Sequence, residues 1–296
     1  MIDKNLTIPL TVPSNIRNQY VKNYEAATQN SGRLFLFAVD QRIEHLNQDF
    51  YGPGISPQAA IPDHVFKIAS KARIGAFATH LGLVARYGQQ FNEIRYLIKL
   101  NAKTNLIPTS QADPISLALY DVDQVVEFKE SSGLDIVGVG YTIYLGSEHE
   151  TAMLTEAAQI VMDAHSRGLL AVLWIYPRGK AVKSERSADI IAGAAGVGAS
   201  LGADFVKVMA PHASSNSESA ELLKQATMAA GRSKVICAGG VMKDEKQFLK
   251  EVCDLIHIGG ASGAAVGRNI FQRDLDGAVD LCNKLAAIII DDKKFN

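Results

Sequence analysis

The feature that most constrains this chain is a regular alternation of short apolar runs with longer amphipathic stretches. Runs of strand length that alternate with segments of helix length are typical of α/β folds and argue against all-β and all-α architectures. Eight runs can be counted, and the last is the shortest. They cover residues 34–40, 76–82, 96–101, 135–144, 169–177, 203–210, 234–240 and 263–267.

The segments between the runs resemble helices that lead directly into the next strand. Three of them, residues 151–168, 188–202 and 220–231, end in a glycine, which suits a left-handed C-terminal cap. Eight strand and helix pairs with short connections close naturally into a barrel. A doubly wound sheet would usually show five to seven strands and a GxGxxG turn after the first, and no such turn is present. The sequence therefore predicts a TIM (β/α)₈ barrel.

Length and apolar content favour a single domain over residues 1–296. With 296 residues, 47% of them hydrophobic, the chain can bury one sizeable core, and α/β barrels reach this length as one domain. Residues 1–30 precede the first strand and are predicted to form a helical extension over the N-terminal mouth of the barrel. The long connection from Arg42 to Pro62 is rich in glycine and proline, so we expect a functional loop at the active face.

Composition narrows the partners to small molecules. The net charge is -1 and charges of both signs are interspersed, so no footprint for nucleic acid or an anionic membrane is present. The first residues lack the pattern of a signal peptide, and no apolar stretch has the length of a membrane span. Three cysteines without CxxC spacing and seven histidines without HxH or HExxH spacing offer no disulfide framework or metal site. We expect a cytoplasmic protein without metal or cofactor.

Lys207 is the strongest candidate for chemistry. Side chains at the C-terminal ends of barrel strands point into one shared mouth, and strand alternation places Lys207 opposite Val206 and Val208. If the valines face the helices, Lys207 faces the interior. Burial disfavours the ammonium form and lowers the pKa, which leaves a neutral amine able to form an imine with a carbonyl. The alternative is an ion-paired lysine at a strand end, but both neighbours are apolar.

The fifth run adds two aromatic side chains to the same mouth. Trp174 and Tyr176 share one face, and the fifth strand neighbours the sixth in a barrel. The Tyr176 hydroxyl could then reach an imine at Lys207 and carry protons, because a cationic imine favours phenolate. Tyr176 could instead be an ordinary core tyrosine. Trp174 fits either a pocket wall or the top layer of the core, and the sequence leaves both open.

Asp40 ends the first run, on the face that carries Leu36 and Ala38. A carboxylate at this point can hydrogen-bond a substrate hydroxyl or a carbinolamine. The alternatives are a helix N-cap or an ion pair with Arg42. Strand-end acids in this fold usually face the pocket, so we predict a catalytic role for Asp40.

Glycine-rich turns after the seventh and eighth runs predict a phosphate site. Gly239 and Gly240 follow one run, and Gly267 and Arg268 follow the other. Bare backbone N–H groups at such turns, where a strand meets a helix, can surround a dianion. Either turn alone would be weak support, and the two together favour binding. Arg178 could hold a second phosphate or brace its own loop.

Seven motifs carry a family resemblance over about residues 30 to 275. In order they are VDQRIEH, IKLNAKT, VGYTIYLGSE, WIYPRG, ADFVKVMAP, CAGG and VGRNIFQ. This ordered set resembles the archaeal-type class I fructose-bisphosphate aldolase family, which also occurs in bacteria. The resemblance implies that Lys207 forms the Schiff base, Tyr176 transfers protons, Asp40 is an acid of the site and Trp174 lies against the substrate. It also implies phosphate contacts at the two glycine turns.

Two positions depart from the family pattern. Ala238 stands where members often carry serine near the phosphate, which puts a hydroxyl contact in doubt. The LNQDFYGPG segment after His45 extends a loop that turns sooner in shorter family members, and it could change which substrate binds.

The resemblance implies a metal-independent lyase that splits fructose 1,6-bisphosphate into dihydroxyacetone phosphate and glyceraldehyde 3-phosphate, as a homo-oligomer. Two alternatives keep the lysine, namely a transaldolase-like heptulosonate synthase and a thiolase for a phosphorylated dione. A phosphate-binding barrel without turnover is the alternative from another class.

Overall fold

The computed structural model describes residues 6–107 and 109–295. Its centre is a closed barrel of eight parallel strands arranged in sequence order. The strands are β1 Leu34–Ala38, β2 Ala76–His80, β3 Tyr96–Lys99, β4 Ile136–Leu145, β5 Leu170–Pro177, β6 Phe205–Val208, β7 Lys234–Ala238 and β8 Gly263–Val266. Seven lie within the predicted runs, and the fourth ends one residue beyond its run. The predicted barrel is confirmed.

Helices surround the strands. They are α1 Arg17–Thr28, α2 Gln41–Asp49, α3 Pro62–Lys71, α4 Leu81–Tyr87, α5 Val122–Ser132, α6 Glu150–Ser166, α7 Ala188–Ser200, α8 Asn216–Ala230, α9 Glu245–His257, α10 Arg268–Phe271 and α11 Leu275–Ile289. Gly168, Gly202 and Gly231, which follow α6, α7 and α8 closely, have positive φ angles as the sequence predicted. None of the helices in the described ranges is long and apolar enough to cross a membrane.

Strand alternation divides the core into two layers. On β6, Phe205 packs inside the barrel with Leu36 and Trp174. Val206 and Val208 belong instead to the layer between the strands and the helices. Because side chains alternate along a strand, the inward orientation of Phe205 continues to Lys207, two residues further.

The N-terminal extension covers the bottom of the barrel. The Tyr20 hydroxyl of α1 donates to Asp204 at 2.6 Å, Asn23 donates to the carbonyl of Gly168 at 2.7 Å, and the Tyr24 ring stacks on Phe205. The predicted helical extension is therefore found as α1, while residues 1–5 of the predicted segment lie outside the described residues.

The connection after β1 is more ordered than a loop. The expected loop from Arg42 to Pro62 contains most of α2 and a 3-10 turn at Pro57–Ala60, and α2 is kinked at His45. The helix was missed because it has no side-chain cap and only two apolar residues, Ile43 and Leu46. It lies at the C-terminal mouth, so its expected position at the active face is found.

Candidate active site

A cavity of about 140 Å³ opens at the C-terminal mouth of the barrel. It brings together eight of the nine residues that the sequence selected. They are Asp40, Tyr176, Arg178, Lys207, Gly239, Gly240, Gly267 and Arg268. The ninth, Trp174, lies in the core layer inside the barrel. One pocket therefore holds the predicted amine, phenol, carboxylate and phosphate turns, as expected for a site built from strand ends.

Lys207 lies inside the barrel and is only 2% exposed. Its strand neighbour on β5 is Trp174, and the Lys207 Nζ lies 5.0 Å from the centre of the Trp174 ring. Burial, the largest influence, lowers the pKa of Lys207 to about 8, although Asp40 acts in the opposite direction. About a tenth of the amine is then neutral at pH 7, enough to attack a carbonyl.

Trp174 forms the floor beneath Lys207. It is 1% exposed, and a Cβ added at Gly140 of β4 would lie 2.3 Å from its ring. Only glycine at this position of β4 leaves room for the indole of the neighbouring strand β5. Of the two alternatives that the sequence left open, the structure favours the top layer of the core, immediately below the cavity.

The phenol of Tyr176 is half-buried and lines the cavity. Burial, together with the nearby charges of Asp40 and Glu44, raises the pKa of Tyr176 well above its ordinary value. The phenol is therefore protonated in the free protein. The sequence analysis considered only the cationic imine, which favours the phenolate. Asp40 and Glu44 act in the opposite direction, so Tyr176 is better suited to donate a proton first.

Asp40 follows β1 and is 7% exposed. Neither alternative use of its side chain is observed. It makes no capping bond to α2, and Arg42 donates instead to the carbonyls of Ala59 and Ala60. Among the described residues, the Asp40 Oδ1 atom is buried without a hydrogen-bond partner. A buried acceptor without a donor is costly, and a substrate hydroxyl could satisfy it.

The two glycine turns lie side by side. Arg268 donates from Nε to the carbonyl of Gly240 at 3.2 Å, and Asn269 donates to the carbonyls of Gly239 at 2.9 Å and Val241 at 2.9 Å. The expectation that both turns meet a helix is wrong for the first, because α9 begins only at residue 245. The first turn therefore has no adjoining helix N-terminus, and the Arg268 side chain of the second turn lies beside it.

Arg178 follows β5 at the rim of the cavity. Its guanidinium lies 5.8 Å from the ring centre of Tyr144 and 6.0 Å from that of Tyr176, and 3.6 Å from a carboxylate oxygen of Glu185. The side chain is 45% exposed. Bracing of the loop and binding of an anion are thus both compatible with its position.

Sequence reasoning missed Lys99, which is fully buried at the end of β3. Its Nζ donates to the backbone carbonyl and to the side-chain Oδ1 of Asn101, both at 2.7 Å, and lies 5.6 Å from the Trp174 ring. Burial lowers the pKa of Lys99, and the charges of Asp40 and Glu44 oppose this. The alternation that identified Lys207 would have identified Lys99 as well, because Leu97 faces the interior.

Glu44 was also missed as an individual residue, although it lies in the VDQRIEH motif. It lines the cavity from α2, and its side chain is 15% exposed. Burial raises the pKa of Glu44, which the charge of Lys99 partly offsets. In residues 6–107 and 109–295, no group of three or more His, Cys, Asp and Glu residues is arranged to hold a metal ion.

Comparison with known proteins identifies relatives along nearly the whole chain. Residues 34–273 match the DeoC/LacD family aldolase. The chain is 51% identical over 290 residues to "Fructose-bisphosphate aldolase/6-deoxy-5-ketofructose 1-phosphate synthase" of Methanocaldococcus jannaschii, covering 98% of this chain and 92% of the relative.

Solved structures of fructose-bisphosphate aldolases are also similar to this chain. "Fructose-bisphosphate aldolase from Slackia heliotrinireducens" matches with a TM-score of 0.96 and 50% identity, over 100% of this chain and 92% of the other. An archaeal fructose-1,6-bisphosphate aldolase "with the catalytic Lys covalently bound to the carbinolamine intermediate of the substrate" matches with a TM-score of 0.77 and 31% identity, over 93% of this chain and 100% of the other.

Proposed function

Because this chain belongs to the DeoC/LacD family of aldolases, we propose that it is a class I fructose-bisphosphate aldolase that works through a Schiff base on Lys207. It reversibly cleaves fructose 1,6-bisphosphate into dihydroxyacetone phosphate and glyceraldehyde 3-phosphate. The observation that carries the proposal is the buried amine of Lys207, whose pKa burial lowers to about 8, in the cavity at the C-terminal mouth.

Imine formation comes first. The neutral amine of Lys207 adds to the C2 ketone and gives a carbinolamine. Tyr176, which is protonated in the free protein, donates a proton to the departing hydroxyl, so that water leaves and an iminium ion remains. The iminium nitrogen then serves as the electron sink for bond cleavage.

Cleavage requires removal of the C4 hydroxyl proton. Asp40 is better suited to this than Tyr176, because its Oδ1 atom has no donor among the described residues and the phenol is held protonated. The C3–C4 bond breaks, its electrons form the enamine, and the aldehyde leaves. The Tyr176 phenolate left by dehydration has already taken a proton back from solvent, because its pKa is raised. Tyr176 donates this proton to C3, and Asp40 releases the C4 hydroxyl proton to solvent. Addition of water to the iminium carbon, with transfer of a proton to the Tyr176 phenolate, then releases dihydroxyacetone phosphate and regenerates the amine.

The two phosphates occupy separate parts of the cavity. Gly239, Gly240, Gly267 and Arg268 bind the C1 phosphate, which supports the ketone end of the substrate. Arg178, on the opposite rim, binds the second phosphate. Trp174 supports Lys207 from below and restricts its approach to the ketone.

Borohydride trapping tests the assignment. We expect treatment with dihydroxyacetone phosphate and borohydride to give one stable adduct, which mass spectrometry of peptides locates on Lys207. Lys207→Met should abolish the adduct and the cleavage of fructose 1,6-bisphosphate, whereas Lys243→Met, which changes a lysine beyond the phosphate turn, should still form the adduct. An adduct on another lysine would overturn the assignment.

A second activity is favoured by the Methanocaldococcus relative, which is named as a 6-deoxy-5-ketofructose 1-phosphate synthase as well as an aldolase. A compound of that name has the carbon skeleton expected when the three-carbon enamine adds to 2-oxopropanal in place of glyceraldehyde 3-phosphate. We propose that this chain accepts both aldehydes. Product analysis with fructose 1,6-bisphosphate and 2-oxopropanal checks this. Assays with the substrates of the heptulosonate synthase and of the thiolase, beside fructose 1,6-bisphosphate, separate those two alternatives.

We further propose a cytoplasmic homo-oligomer. Buried, unpaired Cys237, Cys253 and Cys282 support a reducing compartment. Large apolar side chains on the outer helices, such as Met228 at 79% exposure and Ile190 at 41%, support association with further copies. Light scattering of the purified chain tests this, and a monomer at all concentrations would contradict it.

A further inference from the structure

The extended segment after His45 brings a carboxylate into the phosphate site. Asp49, the last residue of α2, is 8% exposed and lines the same cavity as Lys207. Its Oδ1 atom lies 3.5 Å from a guanidinium nitrogen of Arg268. Its Oδ2 atom is buried, and within the described ranges it has no hydrogen-bond partner. A negative charge thus stands beside the arginine that the proposed function assigns to the C1 phosphate.

Asp49 is poorly placed to position Arg268. Charge-assisted hydrogen bonds to a guanidinium are usually about 2.7–2.9 Å long, and the 3.5 Å separation is longer than that. Arg268 is held independently by the bond from its Nε to the carbonyl of Gly240, at 3.2 Å. The carboxylate therefore offsets the charge of Arg268 without fixing its orientation.

The backbone holds Asp49 in place. Gln272 donates from its side chain to the carbonyl of Asp49 at 2.7 Å. Phe50 stacks on Phe271 with ring centres 4.3 Å apart and an interplanar angle of 4°. Phe271 and Gln272 belong to the same turn of chain as Arg268, so the end of α2 and the arginine form one packed unit. These contacts prevent the backbone of Asp49 from moving away, so a phosphate that enters the site lies close to the carboxylate.

We propose that Asp49 weakens the binding of a phosphate dianion at Arg268 and so favours release of phosphorylated product. The inference rests on the proposed function, which places a phosphate at these turns. Like charges a few ångströms apart repel strongly where water is scarce, and removal of one is expected to tighten binding of a dianion about tenfold. Tight uniform binding would slow release without accelerating cleavage.

Calorimetric titration tests the proposal with inorganic phosphate and dihydroxyacetone phosphate as probes. Asp49→Asn retains the shape and removes the charge, while Asp49→Ala excludes the possibility that a new amide donor causes the gain. Both variants should bind each probe about tenfold more tightly than the wild type, as one full charge is removed in either case. Glu130→Gln, the same charge change on the exposed face of α5, should leave both dissociation constants unchanged.

Weaker binding in both variants would overturn the proposal, because it would show that Asp49 supports Arg268. Unchanged binding, or no phosphate binding by any of the proteins, would overturn it equally. A parallel assay of fructose 1,6-bisphosphate cleavage reports on the proposed function separately. A chain that cleaves no ketose but gains phosphate affinity in both variants would contradict the activity and retain the role of Asp49.

Discussion

Several charged side chains in the cavity influence the pKa of the Lys207 amine. Burial is the largest influence and lowers its pKa to about 8. Asp40 and Glu44 raise the pKa by attracting the ammonium form, and Lys99 and Arg268 lower it by repulsion. The neutral fraction at pH 7 therefore depends on a balance of charges that a single substitution can change.

Lys99→Met should raise the pKa of Lys207. Repulsion from Lys99 is lost, and Asp40 and Glu44 become free to stabilise the Lys207 ammonium, so both effects act in the same direction. Since the neutral amine is the reactive form, the pH profile of borohydride trapping should move upward by about one unit, and trapping at pH 7 should slow about tenfold. Activity should recover as the pH rises.

Lys129→Met is the matched control for this change. Lys129 is a partly buried lysine of α5 whose Nζ donates to the carbonyl of Ile136, and the charges that act on it, Asp135 and Lys22, lie outside the cavity, so the profile should stay in place. A Lys99→Met protein with a native pH profile and only lower stability would show that Lys99 serves packing alone.

Gly140→Ala should damage the floor of the site. The new Cβ would lie 2.3 and 2.6 Å from two atoms of the Trp174 ring, so the indole must move. We expect a loss of about 1–3 kcal/mol in the free energy of unfolding, together with slower trapping at Lys207. Denaturant unfolding and a trapping time course measure the two effects. Gly193→Ala, on α7 with open space around it, is the control. It should leave trapping unchanged and raise the free energy of unfolding by up to about 1 kcal/mol, because alanine is a better helix former than glycine.

At the scale of elements, the strand positions could be predicted because a short run of apolar residues in this kind of fold has few structural roles other than that of a buried strand. Each of the eight runs contains or overlaps its strand, and alternation alone placed Lys207 inside. Because the alternation of side chains depends only on the strand backbone, it predicts which side chains face the interior even when the loop structures are unknown. The same rule could have found Lys99, whose neighbour Leu97 also faces the interior.

Contacts between loops could not be predicted in this way. Asn269 bonds to the carbonyls of Gly239 and Val241 and accepts from the backbone of Lys243 at 2.9 Å. These partners lie in another turn, and their geometry depends on how both turns fold. The helix α2 was missed for a related reason, because its residues are fixed by packing against α10 and not by a local cap.

Asn269→Ala tests the role of this contact. The side chain is fully buried, and its removal leaves three backbone groups of the β7 turn without a partner, so stability should fall by about 1–3 kcal/mol. The phosphate turn should also loosen. We expect KM for fructose 1,6-bisphosphate to rise, while trapping with unphosphorylated dihydroxyacetone changes little. Equal effects on both ligands would contradict a role confined to the phosphate turn.

At the scale of the whole molecule, the two mouths of the barrel have different tasks. The C-terminal mouth holds the cavity that contains Lys207, and in this cavity the Asp40 Oδ1 atom has no hydrogen-bond partner from residues 6–107 and 109–295. At the N-terminal mouth, Asp204 accepts from Tyr20 at 2.6 Å, His165 at 3.2 Å and the backbone of Ala171 at 2.8 Å. A buried carboxylate with three donors stabilises the fold, whereas one with an unsatisfied oxygen is available to a ligand.

This division predicts opposite outcomes for two aspartates. Asp204→Ala removes the shared acceptor and leaves buried donors unpaired, so the free energy of unfolding should fall by about 3 kcal/mol. Its kcat/KM, measured well below Tm, should stay within about twofold of the wild type, because the N-terminal mouth lies away from the chemistry. Asp40→Asn should lose most activity and keep its stability, since in the part of the chain that the structure describes no hydrogen bond to Oδ1 is broken. Chemical unfolding and cleavage assays on both proteins test these outcomes. A fully folded but inactive Asp204→Ala protein would contradict the division between the two mouths. It would show that the hydrogen bonds of Asp204 influence Lys207 through β6, the strand that directly follows Asp204.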